Sequence, residues 1–131
     1  MTARDNEMII RQKLIKSRAR LSEINNLLQF GYYDTAINRI YYASFYSVQA
    51  LLLSVDVEPK SHKGVLSMFA LHFVKSGLFP EDLAKFYPRI FNERIIGDYE
   101  DISDVDKAWV ESLYITAIDF NRLIENMLTN K

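Results

Sequence analysis

The chain has 131 residues, 49% of them apolar and 25% charged, with no cysteine. That is globular composition, and it excludes a disulfide framework, a thiolate nucleophile and a Cys-based zinc site. The 16 Lys and Arg nearly balance the 17 Asp and Glu, for a formal net charge of −1.

At this length a single domain, 1–131, is expected. The longest apolar run, near Ala50-Leu51-Leu52-Leu53, is closed by Ser54 and Asp56 and falls well short of the roughly 18–20 residues of a membrane span. Met1–Glu7 mixes charges and shows no export signal, so the expectation is a cytoplasmic protein with no membrane segment. Charge is unevenly spread. Residues 1–20 carry six bases (Arg4, Arg11, Lys13, Lys16, Arg18, Arg20) and two acids, whereas 81–111 carry nine acids and four bases. Such polarity can steer a nucleic acid to one end. The simpler expectation is a solvated helix face, or pairing with the acidic stretch within the chain or across a dimer.

From about Glu7 to Phe30, Ile10, Leu14, Leu21, Ile24 and Leu28 recur at helical steps, and Gly31 supplies a stop. A second helix is predicted from Asp34, as its cap, to about Val55. One apolar stripe is Ala36, Ile40, Ala43, Ser47 and Leu51; its neighbour is Ile37, Tyr41, Phe45, Val48, Leu52 and Val55. A helix apolar around most of its circumference belongs in the middle of a bundle. Residues 56–60 read as a loop. Ser61 then caps a third helix bearing Val65, Met68, Phe69, His72 and Phe73, with Gly77 at its end. His72, between two phenylalanines, is expected in or at the edge of the core.

Pro80-Glu81-Asp82 starts a fourth helix, with proline in the first turn and acids at the positive end of the dipole. Pro88 lacks the proton that would bond Ala84 and should kink or divide it, and Gly97 marks its end. A last helix begins near Ser103 or Asp104, with Trp109, Leu113, Ala117, Phe120, Ile124 and Met127 on one face. No segment alternates like a strand. The fold expected is all-α: an up-and-down four-helix bundle with an additional short or kinked helix.

Chemistry-bearing residues concentrate in two places. Arg39, Tyr42, Tyr46 and Gln49 share a third, polar face of the second helix. A guanidinium there is either paired with a carboxylate of another helix or displayed in a groove, where it can hold phosphate beside stacking tyrosines. The second place is Asn92-Glu93-Arg94-Ile95-Ile96-Gly97-Asp98-Tyr99. There Arg94 suits the helix end and can bridge to Asp98, while Tyr99 stands beside the acids Asp98, Glu100, Asp101, Asp104 and Asp106. His62 and His72 are ten residues apart and form no i, i+4 metal pair. His62 opens its helix, where the dipole favours the neutral ring, and can cap it or line a pocket with Lys60 and Lys63. No cofactor or metal motif is visible.

Several segments together resemble the HEPN family, small all-helical prokaryotic proteins often encoded beside a minimal nucleotidyltransferase. They are Gly31-Tyr32-Tyr33-Asp34-Thr35-Ala36, Asn38-Arg39 with Tyr41-Tyr42-Ala43-Ser44-Phe45, Pro59-Lys60-Ser61-His62-Lys63-Gly64, and Arg94 with Asp98-Tyr99. The similarity covers nearly the whole chain. Ribonuclease members carry an Arg, four to six residues, then His, and dimerise so that two copies face one cleft. Here Arg94 fills the Arg position, but after four intervening residues stands Tyr99, and no histidine follows. Imidazole, with a pKa of about 6.5, moves protons readily at neutral pH; a phenol, at about 10, does not.

The resemblance therefore implies a homodimeric HEPN bundle that binds rather than cleaves in the family's standard way, as one half of a two-component, toxin–antitoxin-like system. Its ligand would be a nucleotide, an RNA segment or a minimal nucleotidyltransferase partner. Arg39, Tyr42, His62, Lys63, Arg94 and Tyr99 would bind nucleotide or RNA, Asp98 would orient it, and Tyr99 could accept a transferred nucleotide. The alternative from the enzyme class is a variant metal-independent endoribonuclease toxin, with Arg94 on the pentavalent phosphate, Asp98 or His62 moving protons, and Tyr99 as a further catalytic candidate. A third is a structural interaction module in which each polar feature is a satisfied ion pair.

Overall fold

A computed structural model of the chain describes residues 3–99 and 106–129, with side chains from 5 to 93 and from 106 to 129. It is an all-α bundle. In chain order the helices are α1 (Ala3–Ser22), α2 (Ile24–Gln29), α3 (Tyr33–Leu53), α4 (His62–Phe69), α5 (Glu81–Tyr99) and α6 (Lys107–Thr129), with a π-helical turn, Ala70–Val74, continuing α4.

The first predicted helix is two. Glu23 interrupts it: its N–H bonds the Arg20 carbonyl three residues back at 3.2 Å, a tight turn, and its carboxylate is drawn between two guanidiniums. The stop at Gly31 holds. Gly31 has φ +80°, the Tyr32 N–H reaches the Leu27 carbonyl at 2.8 Å, and the Gly31 N–H reaches Leu28 at 3.2 Å, which together satisfy the last carbonyls of α2.

α3 touches every other helix. Both predicted stripes are buried along its length except at Val55, which is exposed because the helix ends at Leu53. Asp34 lies in the first turn rather than at the cap, which is Tyr32. Tyr41 is fully enclosed, its ring within 6.2 Å of Tyr87 and 6.1 Å of Phe91 from α5. At the other end of the core Phe69, Phe79, Tyr87 and Phe120 pack edge-to-face and stacked. Each such buried ring contributes about 1.5–3 kcal/mol by desolvation alone.

That packing explains two departures from expectation. α5 runs unbroken through Pro88 and past Gly97, so the proline does not divide it. Losing one helical bond costs about 3 kcal/mol, which the buried Ala84, Phe86, Tyr87, Ile90 and Phe91 on both sides of Pro88 offset. His72 is exposed, not core. The wider i→i+5 turn at Ala70–Val74 keeps Phe73 stacked near Phe69, at 6.4 Å, and swings His72 off that face. On α6 the predicted face is buried or half-buried throughout. Its first turn is capped by Asp106, which accepts from the Trp109 N–H at 2.7 Å; the expected start at Ser103 or Asp104 lies outside the described residues.

One polar knot sits inside the bundle, where α1, α3 and α6 meet. The Ser17 hydroxyl donates to the Ala43 carbonyl at 2.7 Å, meets the Ser47 hydroxyl at 2.8 Å and accepts from the Asn121 amide at 3.0 Å. With its proton on Ala43, its two lone pairs take Ser47 and Asn121, so the one hydroxyl is fully used. Ser17→Ala removes the acceptor for two buried donors and is expected to lower stability by about 2–3 kcal/mol in urea unfolding monitored by circular dichroism. An unchanged midpoint would show that the knot is energetically neutral.

Candidate functional site

Enclosure of α3 leaves a half-exposed strip of Arg39, Tyr42, Tyr46 and Gln49, spaced as the sequence predicts. The Arg39 Nε–H donates to Glu23 Oε2 at 2.6 Å and its Nη1 to Asn38 Oδ1 at 2.7 Å. The side chain is still 36% exposed. Arg39 is thus both paired and displayed: two acceptors fix its fork, and three of its five N–H donors have no partner among the described residues. Glu23 also holds Arg20 at 2.7 Å, so one carboxylate faces two guanidiniums and the joint keeps a net positive charge.

Tyr42 and Tyr46 continue the strip, their ring centroids 6.0 Å apart. Against Tyr42 lies His62, in edge contact at 6.0 Å and 88°. His62 does not cap α4; Ser61 does, its hydroxyl accepting from the Gly64 N–H at 2.9 Å. The imidazole instead stacks on Phe45 at 4.3 Å and 13°, and its Nδ1 is 2.7 Å from the Tyr41 hydroxyl. When Tyr41 donates, the ring is neutral with its proton on Nε2; when Nδ1 is protonated, the Tyr41 oxygen accepts. Lys60 and Lys63 are exposed beside it.

Gly64 makes this placement possible. A Cβ there would stand 3.0 Å from Ser61 Oγ and 3.1 Å from Pro59 Cβ, closer than ordinary contact, so any larger residue makes the loop or the Ser61 cap shift.

Arg94, Asp98 and Tyr99 fall on the last turns of α5, but their side chains lie outside the described residues. The helix that carries them passes Tyr41 at Phe91, one turn before Arg94. The structure therefore brings Arg39, Tyr42 and His62 together on one strip, with Lys63 adjacent in sequence and the Arg94 backbone a turn beyond its aromatic support.

Sequence reasoning missed two features. Tyr41 anchors His62, a pairing that no local spacing signals. Lys13 and Lys16 of α1 both approach the Tyr46 ring, their Nζ atoms 5.6 and 5.7 Å from its centroid. Their three-residue spacing put them on one face of the basic stretch, which was the available clue. Burial pushes the Lys13 ammonium below its ordinary pKa, Lys16 pushes the same way and Glu58 opposes them. Elsewhere on α1, Arg18 pairs with Glu125 of α6 at 2.7 Å. Among the described residues the bases of α1 make no ion pair with the 81–111 acids. No cluster of His, Asp or Glu among them could hold a metal ion, and no helix is long and apolar enough to cross a membrane.

The chain belongs to the HEPN family, matching the HEPN domain over residues 11–127. It is 36% identical over 124 residues to a protein of Thermotoga maritima named only as a UPF0332 protein, covering 95% of this chain and 94% of that one. It is 39% identical over 103 residues to a protein of Methanocaldococcus jannaschii named as a candidate toxin, covering 78% and 70%. A second protein of that organism so named is 39% identical over 79 residues, covering 60% and 59%.

Gly64→Ala is expected to destabilise the protein by about 1 kcal/mol although alanine is the better helix former, because the new methyl displaces the Ser61 cap. The His62 ring resonances should shift in the same variant. A gain in melting temperature with unmoved His62 resonances would show that the loop yields freely.

Proposed function

We propose that this chain is a toxin-like HEPN protein that binds RNA or a free nucleotide along the α3 strip, and that it works by binding rather than by the family's standard cleavage. The observation that carries this is Arg39, fixed by Glu23 and Asn38 yet a third exposed, beside the tyrosine rings of the same strip. A pre-oriented guanidinium suits a phosphate, and a neighbouring ring suits a base. His62 and Lys63 flank the base-stacking position. Arg94 would add a second phosphate contact, Tyr99 a hydroxyl and Asp98 an orienting carboxylate. The naming of two relatives as candidate toxins supports a two-component system, with a minimal nucleotidyltransferase as partner and a homodimer as the working form.

Fluorescence anisotropy with a short labelled RNA tests this, with ATP as competitor to separate RNA from free nucleotide. Arg39→Ala and Tyr42→Ala are each expected to weaken binding about 10-fold, the equivalent of a lost stack or phosphate contact of about 1.4 kcal/mol. Absence of binding by the wild-type protein to either ligand would refute the proposal.

A second reading, a variant endoribonuclease, is favoured by one observation: the His62 imidazole is held at a defined nitrogen by Tyr41, as a proton-transfer group must be. Incubation of RNA with the wild-type protein in EDTA separates the two. Intact RNA is expected. Cleavage abolished by His62→Ala or Arg94→Ala, in variants that stay folded, would establish the enzyme instead.

A further inference from the structure

α1 carries bases that nothing above uses. Arg18 pairs with Glu125, and Arg20 shares Glu23 with Arg39, but Lys13 and Lys16 have no carboxylate within ion-pair distance among the described residues. Both ammonium groups instead converge on one tyrosine ring, at 5.6 and 5.7 Å. Lys13 is partly desolvated and its ammonium is repelled by that of Lys16, which together lower its pKa against a smaller opposing pull from Glu58. The attraction of one phenol for two cations is only about 0.5–1 kcal/mol each at exposed sites. An anion between the two ammonium groups would relieve the repulsion and the desolvation together.

The position matters as much as the charge. Tyr46 lies seven residues after Arg39 on the same strip of α3, about 10 Å along the helix. At the roughly 3.4 Å axial rise of a stacked, duplex-like strand, that spans about three nucleotides, and fewer where the strand is extended. Tyr42 stands between them, its ring touching Tyr46. Cations at both ends of a strip and aromatic rings along its middle make a track for a single strand, whose phosphates follow the charges while bases stack.

We propose that Lys13 and Lys16, seated on Tyr46, form a second phosphodiester-binding site, so that a single-stranded RNA runs along the α1–α3 seam from the Arg39 end to the lysine pair. This rests on the RNA-binding function proposed above and extends the contact by one further stretch of backbone.

The test is the salt dependence of binding of a short, mixed-sequence, fluorescein-labelled RNA. In Lys13→Gln/Lys16→Gln the side-chain stems still cover Tyr46, so the melting temperature should stay within about 3 °C of wild type. The slope of log affinity against log salt is expected to fall in magnitude by about 1.4, since each single-strand phosphate contact contributes about 0.7, and affinity at 0.1 M salt to fall about 25-fold. Lys13→Arg/Lys16→Arg should retain the wild-type slope. Lys75→Gln/Arg122→Gln, which removes the same charge elsewhere, should change the slope by much less. An unchanged slope in the lysine double variant, with wild-type binding intact, overturns the second site and leaves the α3 strip standing. An equal loss in the Lys75/Arg122 control also overturns it, because net charge would then suffice. Failure of the wild-type protein to bind RNA at all overturns both.

Discussion

The enclosure of α3 governs the rest of the molecule. Thirteen residues of this one helix are buried, and it touches all five others. A helix so placed has one side left on which to present polar groups, and everything displayed there is held by a backbone that cannot move without disturbing the whole core. The tyrosines of the strip have a second constraint, because Tyr41 and Phe45 beneath them form the stacked floor on which His62 rests. Rigidity and display come from the same packing, which is the arrangement a binding site needs if little ordering cost is to remain at the moment of association.

The interior also contains a device for choosing among bundle arrangements. Helices bearing only apolar stripes can slide or rotate past one another at small cost, whereas Ser17 reaches Ser47 and Asn121 only when α1, α3 and α6 are in one register. That register also sets Lys13 and Lys16, one turn and a single residue before Ser17, over Tyr46. The same hydroxyl that fixes the core thus fixes which cations meet the strip.

Much of this was legible in the residues. The two stripes of α3, the Gly31 stop, the Ser61 cap and the face of α6 all follow from local periodicity and capping, and the strip of Arg39, Tyr42, Tyr46 and Gln49 follows from helical spacing alone. What could not be read depended on neighbours distant in sequence. The break at Glu23 is made by a carboxylate caught between Arg20 and Arg39. Continuity through Pro88 is enforced by rings from α3, α4 and α6. The exposure of His72 comes from a π-helical turn that no composition announces. Tyr41 and His62 are 21 residues apart, and only the return of the chain after Asp56, itself at φ 61°, brings them together. Arg94, Asp98 and Tyr99 stood out in the sequence as a polar cluster at a helix end and again in the family resemblance, and the described side chains stop short of them.

The chemistry of the strip bears on the missing histidine. In the sequence, a phenol, Tyr99, stands where the family resemblance places the ribonucleases' imidazole, and a phenol moves protons poorly at neutral pH. The imidazole beside the strip, His62, is stacked on Phe45 and tied at Nδ1 to a buried hydroxyl. A ring so immobilised serves well as a flat, orienting surface. As a general acid and base it would have to exchange protons while one nitrogen is committed to Tyr41. Stacking and charge, in contrast, ask nothing of His62 beyond staying where the aromatic floor puts it, and they use every polar residue of the α3 strip except Gln49.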